Sequence, residues 1–248
     1  MKILVCISSV PDTTSKINFT ADKSAFDKNG IQWVINPYDE FALTKAVKLQ
    51  ESQGATVTIA TVGDAATEAV MRKALAIGAN DAIRVNAEPQ DSITVAKELA
   101  KIVEEGGYDL VLCGKESIDY NGAAVPAMIA QLLNRPFVNA CVGLEVNGAE
   151  ATAVREIEGG KETLTVKLPA VIAGQKGMVE EKVLIIPNMR GIMTARTKAL
   201  TIIEPVDSAV NTKAVKFEKP APKSAVKLIS ADNLDELINL LHNEAKVI

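Results

Sequence analysis

The chain has 248 residues, of which 48% are hydrophobic and 23% charged, and its formal net charge is −4. This composition is typical of a globular protein with one substantial core, and without a basic surplus it argues against nucleic-acid binding. The sequence has no apolar run of the roughly 18 residues that span a bilayer, and its amino terminus indicates a first strand rather than a signal peptide, so we expect no membrane insertion and a cytoplasmic or organelle-matrix location.

The first half of the sequence alternates strand and helix patterns. A continuous apolar run predicts a buried strand over residues 3–7, and further strands are predicted over residues 57–62, 82–85 and 110–113. A pattern with helical spacing follows each of the four. This order predicts an α/β fold, in which a mostly parallel twisted sheet is covered by helices on both faces (Rossmann-like). Ligands of such sheets bind at the carboxyl ends of the strands, where the strand order reverses.

Three loops begin at those strand ends, at Ser8, Gly63 and Gly114. The loop from Gly114 to Gly122 matches neither a Walker loop nor Gly-x-Gly-x-x-Gly, so it is either a phosphate-binding loop or an ordinary strand-to-helix connection. Asn36-Pro37 is typical of a helix start, and the N–H groups of that helix start can also face a nucleotide.

The second half of the sequence changes to short strands. Two alternating runs around Glu158-Gly159-Gly160-Lys161 predict a β-hairpin over residues 154–168, followed by a buried strand. The Lys/Pro-rich residues 206–227 predict an extended arm. Ser230 is then predicted to cap a last helix, whose apolar stripe docks either on its own domain or on a partner subunit; the stripe consists of Leu234, Leu237, Ile238 and Leu241.

These patterns predict two regions. The first is a nucleotide-binding α/β domain over residues 1–205, which includes the hairpin and a loop at about 183–198. The second is an extended linker with a docking helix over residues 206–248.

Cysteine and histidine usage excludes several kinds of site. Cys6, Cys113 and Cys141 fit neither a disulfide framework nor a metal motif, and we expect buried, reduced thiols. The single histidine, His242, excludes a histidine-based triad or a multi-histidine metal site, so we predict no catalytic residue and no metal.

The string VREIEGGKETLTVKLPAVIA, residues 154–173, resembles the signature of the electron transfer flavoprotein beta subunit. Three further segments are similar to the same family in the same order: Val5 to Asp12, Asn36 to Ala42, and Gly114 to Asp119. The resemblance covers nearly the whole chain and implies a fold like that of adenine nucleotide alpha hydrolases.

In that family the beta subunit usually binds AMP, and the catalytic FAD is held mainly by the alpha subunit. The resemblance therefore implies an AMP site in this chain and an electron carrier without substrate chemistry of its own. The implied cofactor-binding residues are Cys6, Asn36, Pro37, Tyr38, Asp39, Val62, Gly114, Lys115, Asp119, Tyr120, Asn121, Gly122, Ala123, Ala124 and Val125.

The resemblance also implies partners: an alpha subunit in a heterodimer, acyl-CoA or other dehydrogenases as electron donors, and a quinone reductase or similar acceptor. Met189 aligns with the apolar residue that anchors dehydrogenases, although a core methionine fits the same position. The family's lysine cluster is reduced here to Arg196 and Lys198.

Some family members hold a second FAD in place of AMP and split electron pairs between two acceptors. Ala123 and Val125 agree with the pattern of those members, but this chain has Tyr120 where they have glycine, and it lacks their threonine and glutamine donors. Because a diphosphate needs both room and donors, the sequence favours AMP over the possible second FAD.

The sequence leaves two other hypotheses about function open. One is a stand-alone nucleotide-binding protein that senses or hydrolyses ATP, with Asp12, Asp39 and Asp119 as metal carboxylates. The other is a purely structural assembly subunit.

Overall fold

The computed structural model describes residues 1–206, 209–223 and 225–248, so positions 207, 208 and 224 of the predicted linker lie outside the described residues. The strands are β1 (Lys2–Cys6), β2 (Ser9–Pro11), β3 (Trp33–Ile35), β4 (Thr56–Val62), β5 (Asp81–Val85), β6 (Leu110–Gly114), β7 (Phe137–Asn147), β8 (Glu150–Ile157), β9 (Gly160–Lys167), β10 (Ala170–Gly174) and β11 (Leu200–Ile203). The α-helices are α1 (Pro37–Gln53), α2 (Glu68–Ile77), α3 (Ser92–Gly106), α4 (Val125–Leu132), α5 (Met189–Ala195) and α6 (Leu234–Asn239).

In the described part of the chain, nine strands form one sheet in the order β11-β5-β4-β1-β6-β10-β7-β8-β9. The strands from β11 to β7 are parallel, and β8 and β9 are added as an antiparallel hairpin at one edge. Strands β2 and β3 pair separately. The prediction of a mostly parallel sheet is confirmed.

The strand order reverses at β1. The chain passes from β1 to β4 and β5 on one side and then returns to place β6 on the other side of β1. Alternate residues of β1 face opposite layers: Ile3 and Val5 pack against the layer that contains α1 and α2, whereas Leu4 and Cys6 pack against α3 and α4. The switch point therefore lies between the carboxyl ends of β1 and β6.

The predicted helix boundaries have physical causes in the structure. Gly78 ends α2 with a φ of 157°, a conformation that favours glycine. Asp91 caps α3 through a reciprocal capping box with Thr94. Asn36 occupies the N-cap position of α1, but its side chain makes no capping hydrogen bond there, which departs from its predicted role.

The predicted hairpin is confirmed as β8 and β9, which pair in register from Glu150 opposite Lys167 to Ile157 opposite Gly160. Gly159 turns the chain with a φ of 82°. Strand β7 lies in the region predicted to form short strands, and it connects the hairpin to the parallel sheet through its pairing with both β8 and β10.

The structure divides the chain into two compact units, residues 1–18 with 27–215, and residues 19–26 with 216–248. This division differs from the predicted boundary at residue 205, because a short excursion near the amino terminus belongs with the carboxy-terminal segment. In the second unit the ring of Phe19 stacks on that of Phe217 with 5.3 Å between their centroids, and the Phe217 N–H donates to Lys23 O.

The last helix begins later than predicted. The side chain of Asn233, not Ser230, accepts a hydrogen bond from Glu236 N and caps α6. A π-helical turn over Leu240–Ala245 follows. Leu234 and Ile238, two residues of the predicted apolar stripe, are more than half exposed.

Candidate functional site

One buried carboxylate joins the two loops that flank the switch point. Asp39, in the first turn of α1, accepts a hydrogen bond from Ser8 N at 2.7 Å through Oδ2 and another from Gly114 N at 2.8 Å through Oδ1. The first N–H belongs to the loop after β1, and the second lies at the end of β6. Asp39 therefore fixes the distance between these two loops.

The neighbouring Asn36 holds the next part of the β6 loop. Its Nδ2 donates to Glu116 O at 2.9 Å, and its Oδ1 accepts from Ile118 N at 3.2 Å. The Asn36 side chain is fully buried, so both bonds are shielded from water. This use of the amide explains why it does not cap α1.

Close packing at the start of α1 requires a glycine at the end of β6. A Cβ on Gly114 would lie 2.3 Å from Asp39 Oδ1 and 2.7 Å from Tyr38 Cβ, and both distances are far below van der Waals contact. The glycine thus permits the hydrogen bond between its N–H and the carboxylate.

Burial raises the pKa of Asp39 to about 7, because desolvation of the carboxylate outweighs its hydrogen bonds to Ser8, Asn36 and Gly114. The negative charge of Asp119 raises the pKa of Asp39 further. The protonation state of this clip between the loops therefore changes near neutral pH, unlike that of an ordinary aspartate.

Beyond Gly114 the chain forms a loop that leads into α4. The Lys115 ammonium lies over the Tyr38 ring, 5.1 Å from its centroid, and the Asp119 carboxylate accepts from Tyr120 N at 2.8 Å. Asn121 and Ala123 have φ angles of 51° and 48°, a left-handed conformation that is uncommon for residues with a side chain.

The end of this loop exposes backbone N–H groups. The first helical hydrogen bond of α4 runs from Met128 N to Ala124 O, so the N–H groups of the residues just before it belong to the free amino-terminal turn of a helix. Gly122 is exposed and has open space around its Cα. Such a helix start favours an anionic group, and a phosphate is the common example.

The third loop, which follows β4, is held in place by a side chain of the neighbouring strand β5. Arg84 is almost fully buried, and its Nη1 donates to Gly63 O at 2.8 Å and to Asn86 Oδ1 at 2.9 Å. Its Nε pairs with Glu68 at 3.1 Å. Sequence reasoning missed Arg84; the signal available was a charged residue inside an otherwise apolar strand pattern.

An open cleft of about 140 Å³ lies beside this third loop. Of the residues predicted to bind the cofactor, only Val62 lines it. The other walls come from the loop after β5, from α3 and from residues after β11, including Ala87, Thr94, Glu98 and Val206. The cleft extends the surface of the switch point toward β5.

The structure brings most of the predicted cofactor residues together. Cys6, the start of α1 and Gly114 meet at the ends of β1 and β6, and Val62 ends β4, the neighbour of β1 on its other side. The segment from Tyr120 to Val125 forms the exposed approach to α4, and the Tyr120 side chain is 74% exposed.

Met189 lies elsewhere, as the first residue of α5, and 77% of its surface is exposed. The core alternative for Met189 is therefore wrong. Sequence reasoning predicted a loop here, but Asn188 caps a short helix by accepting a hydrogen bond from Gly191 N at 2.8 Å. Ile186 and Met193 are also largely exposed and extend this apolar surface.

Two basic side chains attach α5 to α2. Arg72 Nη1 of α2 donates to Ala195 O and Lys198 O, both at 2.8 Å, and Lys198 Nζ donates in return to Leu75 O at 2.9 Å and Ala79 O at 2.5 Å. Burial lowers the pKa of Lys198. Lys198 is thus an internal cap of α2, and of the two basic residues noted in this segment only Arg196 is exposed.

The three aspartates considered as metal carboxylates, Asp12, Asp39 and Asp119, each accept a hydrogen bond from a backbone N–H group. In residues 1–206, 209–223 and 225–248 no group of three or more His, Cys, Asp or Glu side chains is placed to hold a metal ion. Asp12 accepts from Thr14 N at 2.9 Å, and Asp39 accepts from two backbone N–H groups. None of the described helices is long and apolar enough to cross a membrane.

The fold and the loops at its switch point define a doubly wound α/β protein with three loops arranged around the carboxyl ends of β4, β1 and β6. Comparison with known families then identifies the group: residues 24–208 match the electron transfer flavoprotein domain. The chain is 34% identical to the electron transfer flavoprotein subunit beta of Bacillus subtilis (strain 168), over 100% of both chains.

Two eukaryotic relatives agree. The chain is 33% identical to the mitochondrial electron transfer flavoprotein subunit beta of Oryza sativa subsp. japonica, over 100% of both chains. It is 32% identical to the electron transfer flavoprotein subunit beta of Homo sapiens, over 94% of this chain and 95% of the relative. The chain belongs to the electron transfer flavoprotein family, as a beta subunit, and its function is electron transfer.

Proposed function

We propose that this beta subunit binds AMP at the switch point and carries electrons as part of a heterodimer with an FAD-holding alpha subunit. The observation that carries the proposal is the convergence of the loops after β1 and β6 on the buried Asp39. This clip keeps two ligand-facing loops in a fixed relation, which is the preorganisation that a tightly held nucleotide needs.

The charges and backbone of the site fit a single phosphate. The start of α4 offers N–H groups to an anion, and the exposed Gly122 leaves space for its approach. Val62, at the carboxyl end of β4, provides apolar surface for a flat base. Cys6, Asn36 to Asp39, and Gly114 to Val125 complete the proposed site, most of them through their backbone.

We propose AMP rather than a second FAD. Tyr120 has a bulky side chain at the exposed edge of the loop, where a second phosphate and its continuation would leave the site. The residues that follow are small and apolar, apart from Asn121, and supply few donors for a diphosphate.

The same proposal assigns roles to the partners. The alpha subunit holds FAD, which supplies the redox chemistry when bound, and the beta subunit contributes no catalytic residue. Electrons enter from acyl-CoA or other dehydrogenases, for which Met189 is an exposed apolar anchor, and leave to a quinone reductase or similar acceptor. We place the heterodimer in the cytoplasm or an organelle matrix.

The exposed apolar residues of α6 suit the alpha-subunit interface. Deletion of residues 230–248 is then expected to weaken binding of the alpha subunit without unfolding the α/β unit. Equal binding per folded molecule, together with loss of stability, would instead assign the helix to its own chain.

The deciding experiment is nucleotide analysis of the complex. The chain is co-expressed with its alpha subunit, purified, saturated with excess FAD and denatured, and every released nucleotide is identified and counted. One FAD and one AMP per heterodimer supports the proposal. Two tightly bound FAD molecules contradict AMP and favour a bifurcating subunit. A colourless chain that is active alone favours the ATP-sensing alternative, and a complex that releases no nucleotide from this subunit favours a structural role.

A further inference from the structure

Two cysteines lie side by side beneath the proposed nucleotide site. Strands β1 and β6 pair in parallel register, with Val5 opposite Leu112, so the next position along each strand places Cys6 beside Cys113. Neighbouring strands are about 4.8 Å apart. That spacing falls within the range of about 4.4–6.8 Å between the Cα atoms of disulfide-bonded cysteines.

Both side chains point to the same face of the sheet, because both belong to the core layer that contains α3 and α4. The neighbouring Cys6 thiol raises the pKa of the Cys113 thiol, and burial raises it further. Cys113 therefore keeps its proton. Cys6 is the more exposed of the two thiols, so it is the candidate nucleophile.

Exposure separates the three cysteines of the chain. Cys6 keeps 7% of its surface exposed and Cys113 keeps 4%, whereas Cys141 is fully buried. All three are free thiols. Cys6 is thus the cysteine that a small reagent can reach first, from the carboxyl end of β1, and Cys141 provides an internal reference for inaccessible thiols.

The strand ends that carry the pair are held by the clip described above. Asp39 binds the N–H of Ser8, two residues after Cys6, and that of Gly114, directly after Cys113. The two sulfur atoms are therefore kept adjacent by contacts that do not involve them. A bond between them requires little rearrangement of the backbone.

We propose that Cys6 and Cys113 form a redox-active dithiol site, which a hydroperoxide oxidises to an intramolecular disulfide, and that a nucleotide bound above the pair shields it. The shielding rests on the proposed function, whereas the dithiol itself does not. Because the sulfurs lie at the floor of the site, the state of the pair and the occupancy of the site are coupled reciprocally.

The chemistry balances with one peroxide per pair. The Cys6 thiolate attacks one peroxide oxygen, breaks the O–O bond and becomes a sulfenic acid, and the leaving oxygen takes up the thiol proton as water or an alcohol. The Cys113 sulfur then attacks the Cys6 sulfur, forms the S–S bond and displaces the hydroxyl, which leaves as water with the Cys113 proton. Two electrons pass from the two thiols to the peroxide.

The test uses the full chain, stripped of nucleotide and treated with hydrogen peroxide. Intact mass should show the loss of two hydrogen atoms, reversed by a reductant, and peptide mapping should join Cys6 to Cys113 while Cys141 remains alkylatable. Cys6→Ser and Cys113→Ser should each abolish the disulfide, and Cys141→Ser should form it at the wild-type rate. Absence of the disulfide in the folded wild type, or pairing through Cys141, overturns the proposal whatever the variants do.

Shielding is tested by repeating the oxidation with AMP, whose binding is measured separately by calorimetry. At about ten times its Kd, AMP should slow disulfide formation roughly tenfold, because only the nucleotide-free fraction reacts. If AMP binds and the rate is unchanged, the shielding is wrong. If AMP does not bind and the disulfide still forms, the proposed nucleotide site fails while the dithiol site stands.

Discussion

Asp39 and Gly114 are 75 positions apart in the sequence, and the carboxylate of the first accepts the N–H of the second at 2.8 Å. The contact places the start of α1 directly against the end of β6. It makes the glycine and the aspartate a single structural unit, because any side chain at position 114 enters the space that the carboxylate occupies.

Gly114→Ala is accordingly expected to destabilise the protein. The new methyl group would overlap Asp39 Oδ1 and Tyr38 Cβ, and overpacking of this kind costs about 1–3 kcal/mol. Denaturant unfolding monitored by circular dichroism measures the change. Gly122→Ala is the matched control in the same loop, because its nearest neighbour would be Ser92 Oγ at 4.0 Å. Equal stability of the two variants would show that α1 yields to the methyl group.

The pKa of Asp39 predicts how stability depends on pH. Burial raises the pKa of this carboxyl from 3.8 to about 7, so between these values the folded state binds a proton that the unfolded state has released. The free energy of unfolding contributed by Asp39 is therefore fully present below about pH 4 and is lost as the pH rises toward 7.

Asp39→Asn should remove this dependence, since an amide does not titrate in this range. Wild-type and variant proteins are unfolded with urea at several values between pH 4 and pH 8, and the difference between their unfolding free energies is plotted. The unfolding free energy of the wild type should fall relative to that of the variant as the pH rises to about 7. Above that pH the difference should stay constant. A flat difference across the range would mean that the folded-state pKa of Asp39 is ordinary.

The interaction of Lys198 with α2 makes a third prediction. Lys198→Met keeps most of the aliphatic side chain but removes the ammonium from Leu75 O and Ala79 O. Buried carbonyl groups left without a partner cost about 1–3 kcal/mol, so the variant should unfold at a lower urea concentration. Arg196→Met is the control, because Arg196 is exposed at the end of α5. If both variants are as stable as the wild type, water replaces the ammonium.

The parallel sheet could be predicted because each of its central strands has a local signal. The runs at β1 and β6 are short and almost entirely apolar, the run at β4 is rich in β-branched residues, and helical spacing follows all three. The hairpin of β8 and β9 was equally clear, since alternation on both sides of Gly159-Gly160 leaves one register. These signals lie within a few residues of the elements that they predict.

What could not be predicted depends on distant partners. Asn36 has the sequence of an N-cap, but the backbone of residues 116 and 118, about 80 positions away, uses its amide instead. From its sequence Lys198 looks like a surface lysine, because its partners at the end of α2 are about 120 positions away. The short helix α5 and the pairing of residues 19–26 with the carboxy-terminal segment likewise follow from contacts across the chain.

The dehydrogenase surface proposed around Met189 gives the last prediction. Met189 is 77% exposed at the start of α5, so its side chain contributes little to folding, and its flexible thioether suits several partners. Met189→Ala should weaken productive docking of the dehydrogenase by about tenfold, which corresponds to ~1.4 kcal/mol. Steady-state electron transfer from dehydrogenase to the heterodimer, measured against dehydrogenase concentration, reports this change as a higher apparent KM.

Two comparisons separate docking from folding. Leu132→Ala removes a partly exposed apolar side chain from the end of α4 and should leave electron transfer unchanged. Met71→Ala removes a fully buried methionine and should cost about 2–5 kcal/mol of stability, whereas Met189→Ala should keep the wild-type melting temperature and nucleotide content. Wild-type kinetics in a folded Met189→Ala heterodimer would show that the dehydrogenase does not bind at α5, because truncation of an anchoring side chain must weaken the complex.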